Sequence, residues 1–264
     1  MKKIMKIAAL ILALAMLATC FAACGTKNKD TDTDTDTAAK IVFGTNAEFP
    51  PFEFVNAQGG VIDNFDGIDI AIAKKIAEDN NMTAKISNME FDSLLIALQN
   101  GQIDAAIAGM TVIAERLEKV DFSTPYYTAT QVMLVKEDST ISSSDDLKGK
   151  NIVVVQGYTG EVCVKKMGYE YEAFKKGTEA VLELVNGKAD VFVIDSATAD
   201  EYLAQNEGLK IVKDPEAFES EEYAIAVKKG NTELLNKINA TVNKMLEDGT
   251  ISKLGAQYSG AEAE

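Results

Sequence analysis

Two segments of the chain repeat one pattern, in which an amphipathic stretch is followed by an Asn-Gly turn and an apolar run. Residues 100–108 and residues 186–194 both begin with Asn-Gly and continue as the apolar run. Asn and Gly end helices, and short apolar runs that alternate with helices predict an α/β fold with mainly parallel sheets. Polar residues follow both runs, Thr111 the first and Asp195 the second. Because ligands bind outside the carboxyl ends of such strands, two facing ends predict a ligand-binding cleft.

Hydrophobic spacing predicts further elements of the same alternating kind. Ile68, Ile72 and Ile76 recur at helical spacing, and leucines do so within 94–98. The other predicted segments are strands at 41–44 and 152–155 and helices around 181–185 and 197–203.

The composition of the chain excludes several classes of function. The 264 residues include 41 acidic and 26 basic side chains, a formal net charge of -15, and no basic cluster follows the first six residues. Such a chain repels nucleic acid, so we expect no nucleic-acid partner. The sequence contains no histidine, which excludes a Ser-His-Asp triad, a Cys-His pair and a histidine-built zinc site. The length is sufficient for two modest domains.

Residues 1–23 have the pattern of a secretory signal peptide. Three lysines precede an unbroken apolar run at 7–17, and small residues follow it. The uncharged stretch also just reaches the roughly 18 residues that a spanning helix needs, so an uncleaved membrane anchor is the alternative. Beyond Cys20 and Cys24 the chain contains only Cys163, so no internal disulfide framework is possible.

Residues 21–25, Phe-Ala-Ala-Cys-Gly, resemble the bacterial lipobox, in which a cysteine after two small residues is acylated and becomes the mature N-terminus. The resemblance implies lipidation at Cys24 rather than Cys20, because an alanine precedes Cys24 and a threonine precedes Cys20. Residues 24–39 include a Thr-Asp alternation and are expected to form a disordered tether. A calcium site there would lack the turn glycine and terminal glutamate of calcium loops. We therefore expect a lipoprotein anchored to the outer face of the cell membrane.

Four segments resemble, in order, the polar amino acid-binding proteins of ABC importers. They are 44–54 (GTNAEFPPFEF), 65–70 (FDGIDI), 108–116 (AGMTVIAER) and 120–127 (VDFSTPYY). The resemblance runs from about Ile41 to Tyr258. It implies a type II periplasmic-binding-protein-like fold, with two mixed α/β sheets in two lobes that two hinge strands join. Lobe 1 is expected at 40–128 plus 222–264, and lobe 2 at 129–221.

The resemblance also implies how an amino acid is held. Arg116 would grip its α-carboxylate, since a guanidinium offers a carboxylate two parallel donors. Thr111 would bind the same carboxylate through its hydroxyl and backbone N–H, and the Gly109 carbonyl would accept from the ammonium. Asp195 would bind the ammonium from the other lobe, so that the ligand favours closure. The alternatives are a surface Arg116 paired with a neighbouring glutamate, and an Asp195 that only caps a helix.

Further residues match family positions that contact the ligand. Phe49 and Phe91 correspond to rings that sandwich its side chain, and core packing is the alternative for both. The loop at 157–161 would present backbone N–H groups to the carboxylate at a helix N-terminus. The remaining implied contacts are Met110, Gln156, Thr159 and Gly160.

Two classes of ligand side chain are left open. Asn46 occupies a position where family members that bind basic amino acids often have aspartate, which favours an uncharged polar or sulfur-containing ligand. Glu48 is close enough in sequence to supply the missing anion, and the tract at 214–223 resembles arginine-type members. Arginine or lysine is therefore as well supported as a neutral amino acid.

The function implied is capture of a free L-amino acid by a monomeric lipoprotein, which delivers the amino acid to an ABC permease. Acylated Cys24 would anchor the protein to the lipid membrane. No cofactor, metal or catalytic residue is expected. One alternative is an enzyme of the same fold, a cyclohexadienyl dehydratase, which would need Glu48 or Glu161 as its general acid. Another is an amino acid sensor module.

Overall fold

The computed structural model describes residues 38–259. The predicted signal peptide, Cys20, Cys24 and all but the last two residues of the predicted tether lie outside the described residues. The first strand already begins at Ala39, the residue where the tether was expected to end. None of the helices between residues 38 and 259 is long and apolar enough to cross a bilayer.

The described residues form fifteen strands and eight α-helices. The strands are β1 (Ala39–Thr45), β2 (Glu48–Phe49), β3 (Glu53–Val55), β4 (Phe65–Asp66), β5 (Met82–Asn88), β6 (Ala105–Ala106), β7 (Val120–Phe122), β8 (Tyr127–Ala129), β9 (Gln131–Lys136), β10 (Ile152–Val155), β11 (Glu172–Phe174), β12 (Val191–Asp195), β13 (Leu209–Val212), β14 (Glu221–Tyr223) and β15 (Ala226–Lys228). The helices are α1 (Ile68–Asp79), α2 (Phe91–Gln99), α3 (Ala114–Leu117), α4 (Thr159–Met167), α5 (Gly177–Val185), α6 (Ser196–Gln205), α7 (Thr232–Glu247) and α8 (Thr250–Ser259), and a 3-10 helix spans Ser144–Leu147.

The first sheet has five strands in the order β5-β1-β6-β15-β7. β1 pairs in parallel with β5 and β6, whereas β15 runs antiparallel to β6 and β7. α1 packs against this sheet through Ile68, Ile72 and Ile76, which are all buried, as their helical spacing predicts. Full burial of each isoleucine side chain contributes about 1.5–3 kcal/mol to folding.

The predicted strand at 103–108 is shorter in the structure, where only β6 is regular. Its flanks still follow β1, because the Asp104 N–H donates to the Val42 carbonyl at 2.8 Å and the Ile107 N–H donates to the Gly44 carbonyl at 3.0 Å. The Asp104 carboxylate accepts from the Val42 N–H at 2.8 Å, where a regular ladder would use a backbone carbonyl. A side-chain acceptor therefore shortens the strand without moving the segment out of the sheet.

The second sheet also has five strands, in the order β11-β10-β12-β9-β13. β10 is parallel to β11 and β12, and β9 is antiparallel to β12 and β13. Two of the four strand pairs in each sheet are thus antiparallel. The expectation of mainly parallel sheets is wrong, and the expectation of two mixed sheets is confirmed.

Two short strands connect the halves of the molecule. The chain leaves the first sheet after β7, passes through β8 and enters the second sheet at β9; it returns through β14 to β15. β8 and β14 pair antiparallel, with Tyr223 opposite Tyr127 and Glu221 opposite Ala129. The fold is therefore a two-lobed α/β fold whose lobes are joined by two linking strands. The segment after β6 and the carboxyl end of β12 meet between the lobes, where both contribute to one cavity.

Candidate ligand-binding site

A small cavity lies where the two lobes meet. It is lined by residues of both lobes and of the linking strand β14, namely Phe49, Phe91, Ala108, Gly109, Gln131, Tyr158, Thr159, Asp195 and Tyr223. The predicted site residues among them are Phe49, Phe91, Gly109, Thr159 and Asp195. The enclosed space holds about one water molecule. An amino acid therefore needs the lobes, or the side chains between them, to move apart before it can enter.

Aromatic rings form one wall of the cavity, and Tyr158 lies against both predicted sandwich residues. Its ring packs edge-to-face on Phe49 with the centroids 5.2 Å apart, and on Phe91 with the centroids 4.7 Å apart. The Tyr158 hydroxyl donates to Oδ1 of Asn46 at 2.6 Å. Tyr158 comes from the second lobe and Asn46 from the first, so the chain's own side chain fills the space beside the two phenylalanines.

Asp195 ends β12 and is 1% exposed. Its Oδ1 accepts from the backbone N–H groups of Ala197 at 2.9 Å and Thr198 at 3.4 Å, which caps α6. Its Oδ2 accepts from the Tyr223 hydroxyl. Burial raises the pKa of the Asp195 carboxyl to about 7. The carboxylate thus caps the helix and also lines the cavity, where a cation would stabilise its charge.

Gln131 lies beside Asp195 across the β9–β12 ladder, directly opposite it in register. It is 4% exposed, and its Oε1 has no hydrogen-bond donor among residues 38–259. Since Gln131 lines the cavity, this amide oxygen and Asp195 are two buried acceptors in one place. A buried acceptor without a donor is costly, so a ligand donor at the Gln131 amide oxygen would be stabilised.

Arg116 is the only arginine of the chain and lies on α3. It is 6% exposed, its Nη1 donates to the Thr111 carbonyl at 2.8 Å, and its Nη2 donates to the Gly157 carbonyl at 3.0 Å. The guanidinium carbon lies 5.1 Å from the centroid of the Phe91 ring. Burial lowers the pKa of Arg116 to about 10. The alternative of a surface Arg116 is wrong, and the adjacent Glu115 pairs with Lys119 instead.

Two threonine hydroxyls meet at the edge of the cavity. Thr111 Oγ1 of the first lobe lies 2.7 Å from Thr159 Oγ1 of the second. Thr111 also donates to Glu221 Oε2 at 2.9 Å, and Gln131 Nε2 donates to the same oxygen at 3.4 Å. Burial raises the pKa of Glu221, although these hydrogen bonds and the charge of Arg116 act against that rise.

The sequence profile described as bacterial extracellular solute-binding proteins, family 3, matches residues 41–261 of the chain. The chain belongs to this family. The match includes every residue that lines the cavity. The resemblance predicted from the four sequence segments is therefore confirmed.

Individual relatives extend over both lobes. A probable histidine-binding protein of Neisseria gonorrhoeae is 35% identical over 258 residues, covering 95% of this chain and 94% of the relative. The ABC transporter glutamine-binding protein GlnH of Bacillus subtilis (strain 168) is 35% identical over 221 residues, covering 81% and 79%. The crystal structure of the arginine-, lysine-, histidine-binding protein ArtJ from Geobacillus stearothermophilus has a TM-score of 0.78 at 32% identity, covering 84% of this chain and 96% of that one.

Three predicted ligand contacts of this solute-binding protein point elsewhere. Glu48 accepts from Lys176 Nζ at 2.9 Å, and Gln156 donates to an Asp92 oxygen at 2.9 Å. Both contacts join the lobes outside the cavity. Met110 is fully buried, and its backbone carbonyl accepts from Ala224. Glu48 and Gln156 therefore link the lobes, and Met110 lies in the core of the first lobe.

The two predicted glycines allow close packing around the site. Gly109 has a φ of 50°, and a Cβ there would lie 2.5 Å from the Phe49 ring. Its N–H donates to the buried Asp69 carboxylate at 2.8 Å. A Cβ on Gly160 would lie 2.5 Å from the Val193 carbonyl, so only glycine lets α4 approach β12 so closely. Both glycines are thus required by the shape of this family member's site.

Several residues that line the cavity or lie beside it were not predicted from the sequence. Tyr158 and Tyr223 belong to segments that the sequence singled out, but no role was assigned to either. Gln131 has a usable signal, since it is a polar residue that opens the apolar strand β9. Glu221 has none, because its neighbour Glu222 offers the same side chain and only the structure shows which one turns toward Thr111.

Proposed function

We propose that this protein captures a free L-amino acid between its lobes and delivers it to an ABC importer. The observation that carries the proposal is the pair of buried acceptors, Asp195 and the Gln131 amide oxygen, in the cavity between the lobes. An ammonium group suits such acceptors, and the threonine hydroxyls with Arg116 suit a carboxylate. The relatives described as histidine-binding, glutamine-binding and arginine-, lysine-, histidine-binding proteins support the same ligand class.

In this proposal the ligand contacts both lobes. Arg116, Thr111 and Thr159 bind the α-carboxylate, while Asp195 and Gln131 bind the ammonium. We divide the chain into lobe 1 at 40–128 plus 222–264 and lobe 2 at 129–221, which agrees with the strand composition of the two sheets. Because the ligand gains its full set of contacts only when the lobes meet, its binding energy favours closure.

The ligand side chain would lie against Phe49, Phe91 and Tyr158. Asn46 and Glu48, the two polar residues proposed from the sequence to recognise this side chain, already have partners. Asn46 accepts from the Tyr158 hydroxyl, and Glu48 pairs with Lys176. The relatives include binders of both neutral and basic amino acids. We therefore propose a polar or basic amino acid as the class and leave its selection to a ligand screen.

We propose that the protein acts by binding and not by catalysis. A dehydratase would need a general acid in the cavity, and neither glutamate considered for that role lines it. Glu48 pairs with Lys176, and Glu161 accepts from the Gly157 N–H at 2.6 Å and from the Tyr171 hydroxyl at 3.1 Å. These partners hold both carboxylates away from a bound ligand.

We also propose that the chain is a monomeric lipoprotein at the outer face of the cell membrane. The support is the signal-peptide pattern of residues 1–23 and the lipobox resemblance at Cys24. Labelling with radioactive palmitate is expected to be lost in Cys24→Ala and kept in Cys20→Ala. The opposite pattern would move the lipidation site to Cys20.

A thermal-shift screen of the mature chain against the twenty amino acids tests the ligand proposal. A ligand at a hundredfold excess over Kd stabilises the folded state by about 2.7 kcal/mol. For a chain of this size the melting temperature should rise by roughly 5–10 °C. If no amino acid raises it, the proposed function is wrong.

A further inference from the structure

The carboxylate of Glu221 occupies donors that a ligand carboxylate would use. Its Oε2 accepts from Thr111 Oγ1 at 2.9 Å, and Thr111 Oγ1 lies 2.7 Å from Thr159 Oγ1. A hydroxyl carries a single proton, so Thr111 cannot donate to Glu221 and to a ligand at the same time. When Thr111 donates to Glu221, the Thr159 hydroxyl donates to Thr111 in turn. One internal carboxylate thus commits both hydroxyls.

The charge around Glu221 also matches a carboxylate site. Arg116 is the buried cation that acts on Glu221, and Glu221 in turn favours the charged form of Arg116. The Gln131 amide donates to the same Oε2, at 3.4 Å. A hydroxyl pair, an amide and a guanidinium are the groups that bind carboxylates in proteins. Glu221 therefore lies in a carboxylate site that its own chain fills.

The position of Glu221 in the fold lets it act in both lobes. It begins the linking strand β14, where it is paired with Ala129 of β8. Thr111 belongs to the first lobe, and Thr159 begins α4 of the second. The chain of contacts from Thr159 through Thr111 to Glu221 therefore joins the lobes without a ligand. Tyr158 lies beside Phe49 and Phe91 in the neighbouring cavity, and the space that remains there has room for only about one water molecule.

We propose that Glu221 is an internal substitute for the ligand carboxylate, which an arriving amino acid must displace from Thr111. This inference rests on the proposed function, because it assumes that the ligand is an α-amino acid. It assigns Glu221 as a residue that weakens binding and favours ligands whose own carboxylate can compete. The affinity of a compound without that carboxylate should not increase when Glu221 no longer binds Thr111.

Glu221→Gln tests the inference with Glu222→Gln as the matched control. The amide keeps the size of the side chain but removes the charge, and charged acceptors form the stronger hydrogen bonds. Isothermal titration with the best amino acid from the screen should show Kd falling about three- to tenfold in Glu221→Gln, roughly the effect of one hydrogen bond. The Glu222 side chain is exposed, and Thr111 donates to Glu221 instead, so Glu222→Gln should stay within about twofold of the wild type.

The carboxyl-amide derivative of the same amino acid is the second probe. Its affinity should change less than about twofold in Glu221→Gln, because it does not compete as a carboxylate. An equal gain for the amide derivative, or an unchanged or weaker affinity for the amino acid, would overturn the inference. A loss confined to basic amino acids would show instead that Glu221 binds their cationic side chain.

Circular dichroism establishes whether the variant folds. If Glu221→Gln does not fold, Glu221→Asp takes its place, since its shorter side chain draws the carboxylate back from Thr111; it should bind at least about twofold more tightly. Wild-type or weaker affinity in Glu221→Asp would also overturn the inference. The wild type separates the two hypotheses: if it binds no amino acid the proposed function fails, and if it binds while the variants gain nothing only this inference fails.

Discussion

The hydroxyl of Tyr158 donates to Oδ1 of Asn46 at 2.6 Å and thereby joins two residues that are 112 positions apart in the chain. Tyr158 precedes α4 of the second lobe, whereas Asn46 follows β1 of the first. Both side chains are buried, and the Asn46 amide also donates to the Met89 carbonyl at 3.0 Å. This hydrogen bond closes the lobes across the aromatic wall of the cavity.

Tyr158→Phe should shift the ligand-free protein toward the open arrangement. Water replaces both partners when the lobes separate, so the hydrogen bond contributes only about 0.5–1.5 kcal/mol to closure. The ratio of closed to open molecules should fall about two- to tenfold. Single-molecule energy transfer between dyes on the two lobes measures this ratio.

Tyr171→Phe is the matched control for that experiment. Its hydroxyl donates to Glu161 at 3.1 Å within the second lobe, so removing it should leave the ratio of closed to open molecules unchanged. Equal ratios in Tyr158→Phe and the wild type would show that the hydrogen bond to Asn46 does not hold the lobes together.

Ligand affinity should fall as the pH is lowered from 8 to 5. Burial raises the pKa of Asp195 to about 7, so below that pH the carboxyl becomes protonated and no longer attracts the ammonium. The loss should approach tenfold per pH unit once Asp195 is mostly protonated, and Asp195→Asn should bind weakly with a much flatter pH profile. Titration calorimetry at several pH values measures both profiles.

The control is Asp200, an exposed aspartate on α6, the helix that Asp195 caps. Asp200→Asn should keep the wild-type profile. Glu221 lies near the cavity, and its protonation would strengthen binding if it competes with the ligand carboxylate, as inferred above. The pH profile of Glu221→Gln lacks this contribution, so its comparison with the wild-type profile separates the effect of Glu221 from that of Asp195. A wild-type affinity that does not change between pH 8 and 5 would contradict the role of Asp195.

The sequence predicts what depends on local spacing and misses what depends on distant partners. The helix at Ile68–Asp79 follows from isoleucines that recur every four residues, and the cap at Asp195 follows from its place before a helical segment. No local pattern predicts that the Glu48 side chain points away from the cavity, because its partner Lys176 is 128 positions away. Neutralisation by that lysine decides whether Glu48 can serve a ligand, and only the tertiary structure brings the two together.

Glu53→Gln should stabilise the protein at pH 8 more than at pH 5. Glu53 and Asp69 are both 0% exposed, and neither Glu53 oxygen has a donor among residues 38–259. Burial and the nearby Asp69 raise the pKa of Glu53 well above its usual range, and burial raises that of Asp69 to about 6. Facing carboxyls form a hydrogen bond only when one of them carries a proton, so we infer that the pair shares one.

The direction of this effect follows from proton linkage. With folded-state pKa values above the unfolded ones, the folded state binds more protons, so stability falls as the pH rises through the unfolded value toward the folded value. Glutamine supplies the donor at every pH. Between pH 5 and 8 the melting temperature of the wild type should therefore drop by several degrees more than that of Glu53→Gln. Each kcal/mol lost from the free energy of unfolding lowers the melting temperature by about 2–4 °C. Glu78 lies on the exposed face of α1, and Glu78→Gln should show the same drop in melting temperature as the wild type. If Glu53 and Asp69 do not share a proton, Glu53→Gln should show that same drop as well.

Asn46→Asp should favour basic over neutral amino acids. The substituted side chain keeps an acceptor for the Tyr158 hydroxyl but gains a charge next to the aromatic wall where the ligand side chain would lie. A buried charge attracts an opposite one more strongly than water-exposed charges do, so the ratio of the Kd for glutamine to the Kd for arginine should rise about tenfold. Titration of both ligands against the variant and the wild type gives this ratio.

Asn88→Asp separates local recognition from the overall charge of the lobe. Asn88 is exposed, and its Oδ1 accepts from the Ala47 N–H at 2.9 Å, an acceptor that aspartate retains. The same charge is thus added near the cavity but outside it, where solvent screens it, and the ratio should stay within about twofold of the wild type. An equal rise in both variants would mean that basic ligands respond only to the field of lobe 1. An unchanged ratio in Asn46→Asp would place the ligand side chain away from position 46.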